Sequence, residues 1–443
     1  MVNTKQRKRI LRRMRKNGPK LLAIFILVTI TTSLFIGYFV GTSSVLSSLH
    51  QFNKTNRLEQ GYFISDQINN DLRVEKIVYR DIVINDQTLR VFKETTHLNQ
   101  YQVTTGADIS SDKQILLDKN YLQANGWSLQ NEIELMGELF EIIGTAISPD
   151  YVMTKKSELV LQPNPLAFGV AYVSEEAFNK YFLNGSTSYY AYGSDISLEE
   201  VVDQFSPHFL RDTLNNSRVQ QVLGDAESPQ QLSILIVSIF CVITIILILI
   251  YFLEEKRKEE KNILTLSYLG FSNKEIANHY LTDILFIVSI ALLVGICLGH
   301  QAIPYVMDMN QTIYNFPILT INREMYILAV VLSFLLFNIF CFVMIKISFG
   351  RKLYRKTSKN YFAIAMLSSK INFIYKYRIV KILRNKMEIV LFLLMIVVTG
   401  FLINFSFLLK SSVEEYVSNL EKETAFTYLY QTSMEDVGPG EAA

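Results

Sequence analysis

The chain has 443 residues, half of them hydrophobic, with 24 Tyr, 29 Phe and a net charge of only +2, which is ample material for a core, although the apolar residues are bunched rather than spread. Its three cysteines, Cys241, Cys297 and Cys341, all fall in apolar runs, which excludes an external domain held by disulfides and leaves no metal-ligand spacing. No two glycines stand at the spacing of G-x-x-x-x-G-K-[ST], so a Walker A loop that cradles nucleotide phosphates is excluded as well.

Residues 1–20, MVNTKQRKRILRRMRKNGPK, form a densely basic leader without an acidic residue. The apolar run that follows, 21–41, exceeds the roughly 7–15 residues of a signal-peptide core, and no small-x-small site follows it, which favours a retained first span. Further runs at 232–253, 280–299, 325–345 and 389–409 are also long enough to cross about 30 Å of hydrocarbon at about 1.5 Å per residue. A basic leader can serve as a nucleic-acid-binding arm, but next to a span it is better explained by membrane orientation, with no nucleic-acid partner. The linker 346–388 repeats the pattern: Phe349 to Met387 holds eleven basic residues, from Arg351 to Lys386, and no acid. Both basic segments are expected in the cytoplasm, which puts 42–231, 300–324 and the acidic tail 410–443 outside and 254–279 inside.

Within 42–231, EKIVYRDIVI and TLRVF have strand character. Asp118 is placed to cap a short helix that Gly126 closes, and NEIELMGELFEIIGTAI reads as two strands around a turn at Met136 and Gly137. SLEEVVDQFSPHFLRDTLNNSRVQQVLG reads as a helical stalk to the second span, with Pro207 as an interruption. Trp127 is expected to pack within this domain. The fold class is therefore a polytopic α-helical membrane protein of about five transmembrane helices, with an α+β extracellular domain between helices 1 and 2.

The segment 254–279 holds KNILTLSYLGFSNKEI, in which Ile263, Leu264, Leu266, Leu269 and Phe271 are apolar knobs, Gly270 turns the chain and Ser272 can cap the next helix. By pattern alone the knobs suit a partner's groove and the lipid interface equally. In the spans, Asp283 reads as a polar group at the membrane interface, Asn338 and Asn404 as interhelical hydrogen-bond donors, and His279 and His300 as interface residues rather than metal ligands.

KNILTLSYLGFSNKEI, followed by YLTDILFIVSIALLVGICLG, resembles the signature of FtsX-like permeases of the MacB type, the membrane subunits of type VII ABC transporters. The resemblance implies that this stretch is the coupling helix contacting the ATPase, that Gly270 is the family glycine, and that Gly295 and Gly299 form a small-residue helix-packing face. Asn262 departs from the pattern, standing where the family commonly has Glu, with Glu259 and Glu260 as candidate substitutes. The external stretch from Ile115 to Val152 also resembles the family's outer domain.

Long members carry a second external domain and further spans, and YKYRIVKILRNKMEIVLFLLMIVVTGFL looks like the approach to that second half. The segment 410–443 is accordingly expected to start a second external segment that is cut short, with a naturally short permease as the competing expectation. The implied function is a non-enzymatic permease subunit that binds no cofactor itself and moves in response to ATP and Mg used by a cytoplasmic ABC ATPase. It would export, or extract from the membrane, a peptide, lipid or hydrophobic antibiotic. The alternative is a mechanotransmitting subunit that regulates a cell-wall hydrolase or sensor kinase and transports nothing. Expected partners are the ATPase, a second copy or companion permease, and membrane lipid. The expected location is the cell membrane of a bacterium, Gram-positive by the overall look, with the N-terminus in the cytoplasm.

Overall fold

The computed structural model describes residues 18–66, 73–157, 160, 162–309, 313–350 and 386–423. The leader up to residue 17, linker residues 351–385 and the tail from residue 424 lie outside the described residues. The chain divides into a helical unit (1–39, 233–302 and 324–427) and a sheet unit (40–232, 303–323 and 428–443).

Five described helices are long and apolar enough to cross a membrane. The first runs from Gly18 to Thr55 as α1 (Gly18–Leu34), a π-helical turn (Phe35–Phe39) and α2 (Val40–Thr55). It continues well past Gly41, where the apolar run ends. The others lie in α5 (Ser217–Lys258), α7 (Asn273–Asp308), α8 (Arg323–Gly350) and α9 (Lys386–Glu423), with α6 (Glu260–Tyr268) between α5 and α7.

In the helical unit a core forms from Leu21, Ile24 and Val28 of α1, Ile248 and Phe252 of α5, Ile284, Val288 and Leu292 of α7, and Phe337 and Cys341 of α8. The approach of α7 to the first helix is set by glycine. A Cβ on Gly295 would stand 2.8 Å from Cβ of Thr32, and one on Gly299 would stand 2.8 Å from Cβ of Ile36. Helices that approach this closely gain van der Waals contact and short polar links. Here the Thr29 hydroxyl donates to the Ala291 carbonyl at 3.3 Å, and the Thr31 and Thr244 hydroxyls meet at 2.8 Å. Asn338 and Asn404 depart from expectation. Each donates to a carbonyl of its own helix, Phe334 at 2.9 Å and Gly400 at 2.8 Å, because the residue four positions earlier offers a nearer acceptor than a neighbouring helix.

The sheet unit is built on ten strands: β1 (Gly61–Ile64), β2 (Val74–Ile84), β3 (Gln87–Lys93), β4 (Gln102–Gly106), β5 (Gln114–Leu117), β6 (Glu132–Leu135), β7 (Glu138–Ile147), β8 (Phe168–Val173), β9 (Thr187–Tyr192) and β10 (Phe209–Asp212). Their order is β10-β1-β9-β2-β3-β8-β5-β7-β4, with β6 paired to β7. Pairing is antiparallel except between β3 and β8 and between β5 and β7. Met136 and Gly137 take left-handed backbone conformations in the two-residue turn joining β6 to β7. Asp118 caps α3 (Lys119–Ala124) by accepting from the Tyr121 amide at 2.8 Å, and Trp127 packs edge-on against Tyr121.

The expected stalk is not one helix. α4 (Leu198–Phe205) ends as Ser206 turns left-handed, β10 follows Pro207, and α5 begins at Ser217. The break lies where Pro207 removes a backbone donor, and the residues beyond it gain partners by pairing with β1 instead.

Candidate functional site

The elbow between α5 and α7 is fixed by local capping. At the end of α6 the Phe271 amide donates to the Leu266 carbonyl and the Gly270 amide to the Ser267 carbonyl, each at 3.1 Å, with Gly270 at φ +89°. This is a Schellman closure, whose left-handed position favours glycine. A capping box then starts α7: the Ser272 amide donates to Glu275 at 2.8 Å, and the Glu275 amide donates to the Ser272 hydroxyl at 3.3 Å. Asn262, the departure noted in the sequence, donates to the Glu259 carboxylate at 2.6 Å.

The elbow has two faces. Ile263 is 2% exposed and belongs to the helical core, with Leu266 packed against that core and Leu264 half-buried. Leu269 and Phe271 are 70% and 50% exposed, joined by Tyr268 at 87%. Only part of the expected apolar set therefore faces outward, and Tyr268, which belongs with it, was missed. An amphipathic pattern identifies the faces but not which one the neighbouring helices cover. At the base of the elbow Lys20 pairs with Glu254, which also meets Lys258 at 3.3 Å. Asp283 lies in α7, and its side chain lies outside the described residues.

A second arrangement lies within the sheet unit, where the segment joining α7 to α8 docks on the strands. Asn315, buried, donates from Nδ2 to Asp118 at 3.1 Å and to the Thr154 hydroxyl at 2.8 Å, and its Oδ1 accepts from the Asn120 amide at 3.1 Å. Its amide donates to the Val152 carbonyl at 2.9 Å, and Tyr314 donates to Asp225. Burial pushes the Asp118 carboxyl up to about 6, against the opposing pull of its hydrogen bonds from Tyr121, Val170 and Asn315. The start of α5 is fastened similarly: the Arg218 guanidinium lies 4.3 Å over the Tyr151 ring, and Arg218 is buried with Glu59 and Asp150. Glu59 accepts from Asn99 Nδ2 at 2.8 Å. Burial, followed by the charge of Asp150, pushes the Glu59 carboxyl up to about 8. A lone Asn in a connecting segment, or a lone Arg at the first turn of a helix, gives no periodic signal, so sequence reasoning missed Asn315 and Arg218.

In the helical unit a groove of about 450 Å³ opens among α1, α5 and α8, lined by Phe35, Phe39, Val237, Leu332 and Leu336. Its hydroxyls, on Thr31, Ser238 and Ser333, all donate to carbonyls of their own helices, so the lining offers little unspent polarity. Among the described residues no group of three His, Cys, Asp or Glu is placed to hold a metal ion.

The elbow, the glycine contacts of α7 and all of α8 fall in one matched segment. Residues 232–353 match the FtsX-like permease C-terminal family. That FtsX-like permease match contains both the KNILTLSYLGFSNKEI stretch and the glycine-containing helix after it, and it supports a membrane protein with a role of the ABC-permease type, working with an ABC ATPase. No curated protein matches the chain.

Proposed function

We propose that the chain is the membrane-spanning permease subunit of an ABC transporter, driven through the α6 elbow by a separate cytoplasmic ATPase that uses ATP and Mg. The observation that carries this reading is the division of labour in the elbow. Tyr268, Leu269 and Phe271 offer an apolar knob to a partner, while Ile263 is buried among the helices. A push on the knob then reaches α5 and α7 through packed side chains, and the glycine contacts pass it to the first helix.

In this scheme the basic segments hold the leader, the elbow and the linker in the cytoplasm of a bacterial cell membrane, and the sheet unit lies outside. Within the sheet unit, the Asn315 and Arg218 contacts hold the segment before α8 and the start of α5 against the strands. The apolar groove supports a hydrophobic cargo, lipid or lipid-like, over an ion. Phe392, Val397, Phe401 and Phe407 of α9 are exposed, an apolar surface for membrane lipid, a second copy or a companion permease to cover.

The test is copurification of the chain with its ATPase, with and without Leu269→Asp and Phe271→Asp. Expected is loss of the ATPase and of ATP-dependent activity with membrane insertion intact. Unchanged association and activity would refute the docking.

A further inference from the structure

The sheet unit carries a second, chemically different cavity: an open, largely polar cleft of about 570 Å³ between the end of α2, the start of β2 and the loop after β9. Three cations line it, Lys54, Arg57 and Arg73, against two carboxylates, Glu75 and Asp195. Glu75 has its oxygens occupied by the backbone amides of Thr96, His97 and Leu98 and the Thr96 hydroxyl, so it offers an incoming ligand little acceptor capacity. Arg73 also makes an exposed contact to Glu200 at 3.3 Å, a type of pair that contributes little on its own. Lys54 and Arg57 are exposed and lie three residues apart on the same rim.

The backbone of the rim is a further pointer to a ligand. Arg57 sits at φ 50°, in the left-handed position that closes a helix, where glycine or asparagine is favoured; its carbonyl accepts from the Asn99 amide at 3.0 Å. Keeping an arginine there sets a strained backbone beside a cleft, a combination that recurs at ligand clamps.

We propose that this cleft binds the phosphate ester of a small polyol, with Lys54, Arg57 and Arg73 on the phosphate. Guanidinium forks match phosphate oxygens two at a time, and three cations lining one cleft suit a group of more than one negative charge better than a single carboxylate. The cleft is larger than a phosphate group. Asp195, Gln60 and Ser194 supply the acceptors and neutral donors that hydroxyl groups need. The phosphate ester could arrive as a soluble molecule or as a lipid headgroup, and the inference does not depend on coupling to an ATPase.

The test uses the full chain in two arms. In detergent, sn-glycerol 3-phosphate is titrated by calorimetry, with glycerol and acetate as comparators. In nanodiscs, the thermal midpoint is compared between phosphatidylcholine alone and phosphatidylcholine with phosphatidylglycerol. Saturable binding in the first arm assigns a soluble ligand, stabilisation in the second arm alone assigns a headgroup, and a response in neither overturns the proposal. In the responding arm, Lys54→Gln with Arg57→Gln should weaken the effect at least tenfold, while Lys180→Gln, which removes a charge that does not line the cleft, should leave it unchanged. Equal losses in the two would overturn the site. Arg57→Gly should raise the thermal midpoint of the unliganded chain while weakening binding. A variant that binds as well as the parent would remove the role assigned to Arg57.

Discussion

Asn315 ties the segment between α7 and α8 to the strands, and Asn315→Ala removes three side-chain hydrogen bonds while leaving the backbone bond to Val152 available. Neutral bonds contribute about 0.5–1.5 kcal/mol each and one to a carboxylate about 1.5–3 kcal/mol. Water will refill part of the space, so the expected local cost is about 2–4 kcal/mol. Because 1.4 kcal/mol corresponds to about tenfold, local opening should become at least about 30 times more frequent. Hydrogen exchange on the full chain in nanodiscs reads this directly: amides at 313–316 and at Tyr121 should lose protection, while those of β3 and β8 keep theirs. Losing Asn315 also removes a donor that lowers the Asp118 pKa, so the carboxyl should titrate higher than about 6. An acid raised in the folded state destabilises it as pH climbs from the unfolded value through the folded one, so the variant's defect should grow on going from pH 5 to pH 8. Unchanged protection at 313–316 would refute the idea that Asn315 fastens this segment.

Gly299→Leu should disrupt the packing of α7 against the first helix, because even a Cβ meets Ile36 at 2.8 Å; Gly299→Ala should cost about 1–3 kcal/mol, read as a lowered midpoint for heat inactivation in detergent. Arg90 makes two bonds of 2.7 Å to Asp81 and one of 2.9 Å to the Tyr151 hydroxyl while buried, so Arg90→Ala should cost about 3–5 kcal/mol, and Arg90→Lys should recover only a minor part because the fork is lost. Glu59, pushed up to about 8 with Asp150, Arg218 and Asn99 around it, should make the sheet unit less stable as pH rises from about 4.3, the unfolded value, through about 8. Thermal melts between pH 5 and pH 9 should show this decline, and Glu59→Gln should flatten it.

What the sequence made legible was short in range. Leu-Gly-Phe at 269–271 closes a helix by rules that involve six residues, Asp118 and Gly126 bracket a short helix, and Met136–Gly137 turns a hairpin. The apolar runs foretold five long helices because 18 or more consecutive apolar residues have few other structures open to them. Orientation within the elbow was not legible. Ile263 and Leu269 are equally apolar in sequence, and only the core into which Ile263 fits separates them. Asn315 lies almost two hundred positions from Asp118, and Arg218 acts with residues brought together by the sheet, so neither contact has a local pattern to read. Pro207 marked a break correctly, but whether strand or helix followed depended on β1 offering an edge.

The most direct test of the central claim is cross-linking from the elbow. In a chain with Cys241, Cys297 and Cys341 replaced, Leu269→Cys carries a photoactivatable cross-linker in inverted membranes containing the ATPase. The expected result is an adduct with the ATPase whose yield changes when ATP is added. An elbow labelled only by reagents applied to the outer surface, with no ATPase adduct, would contradict it.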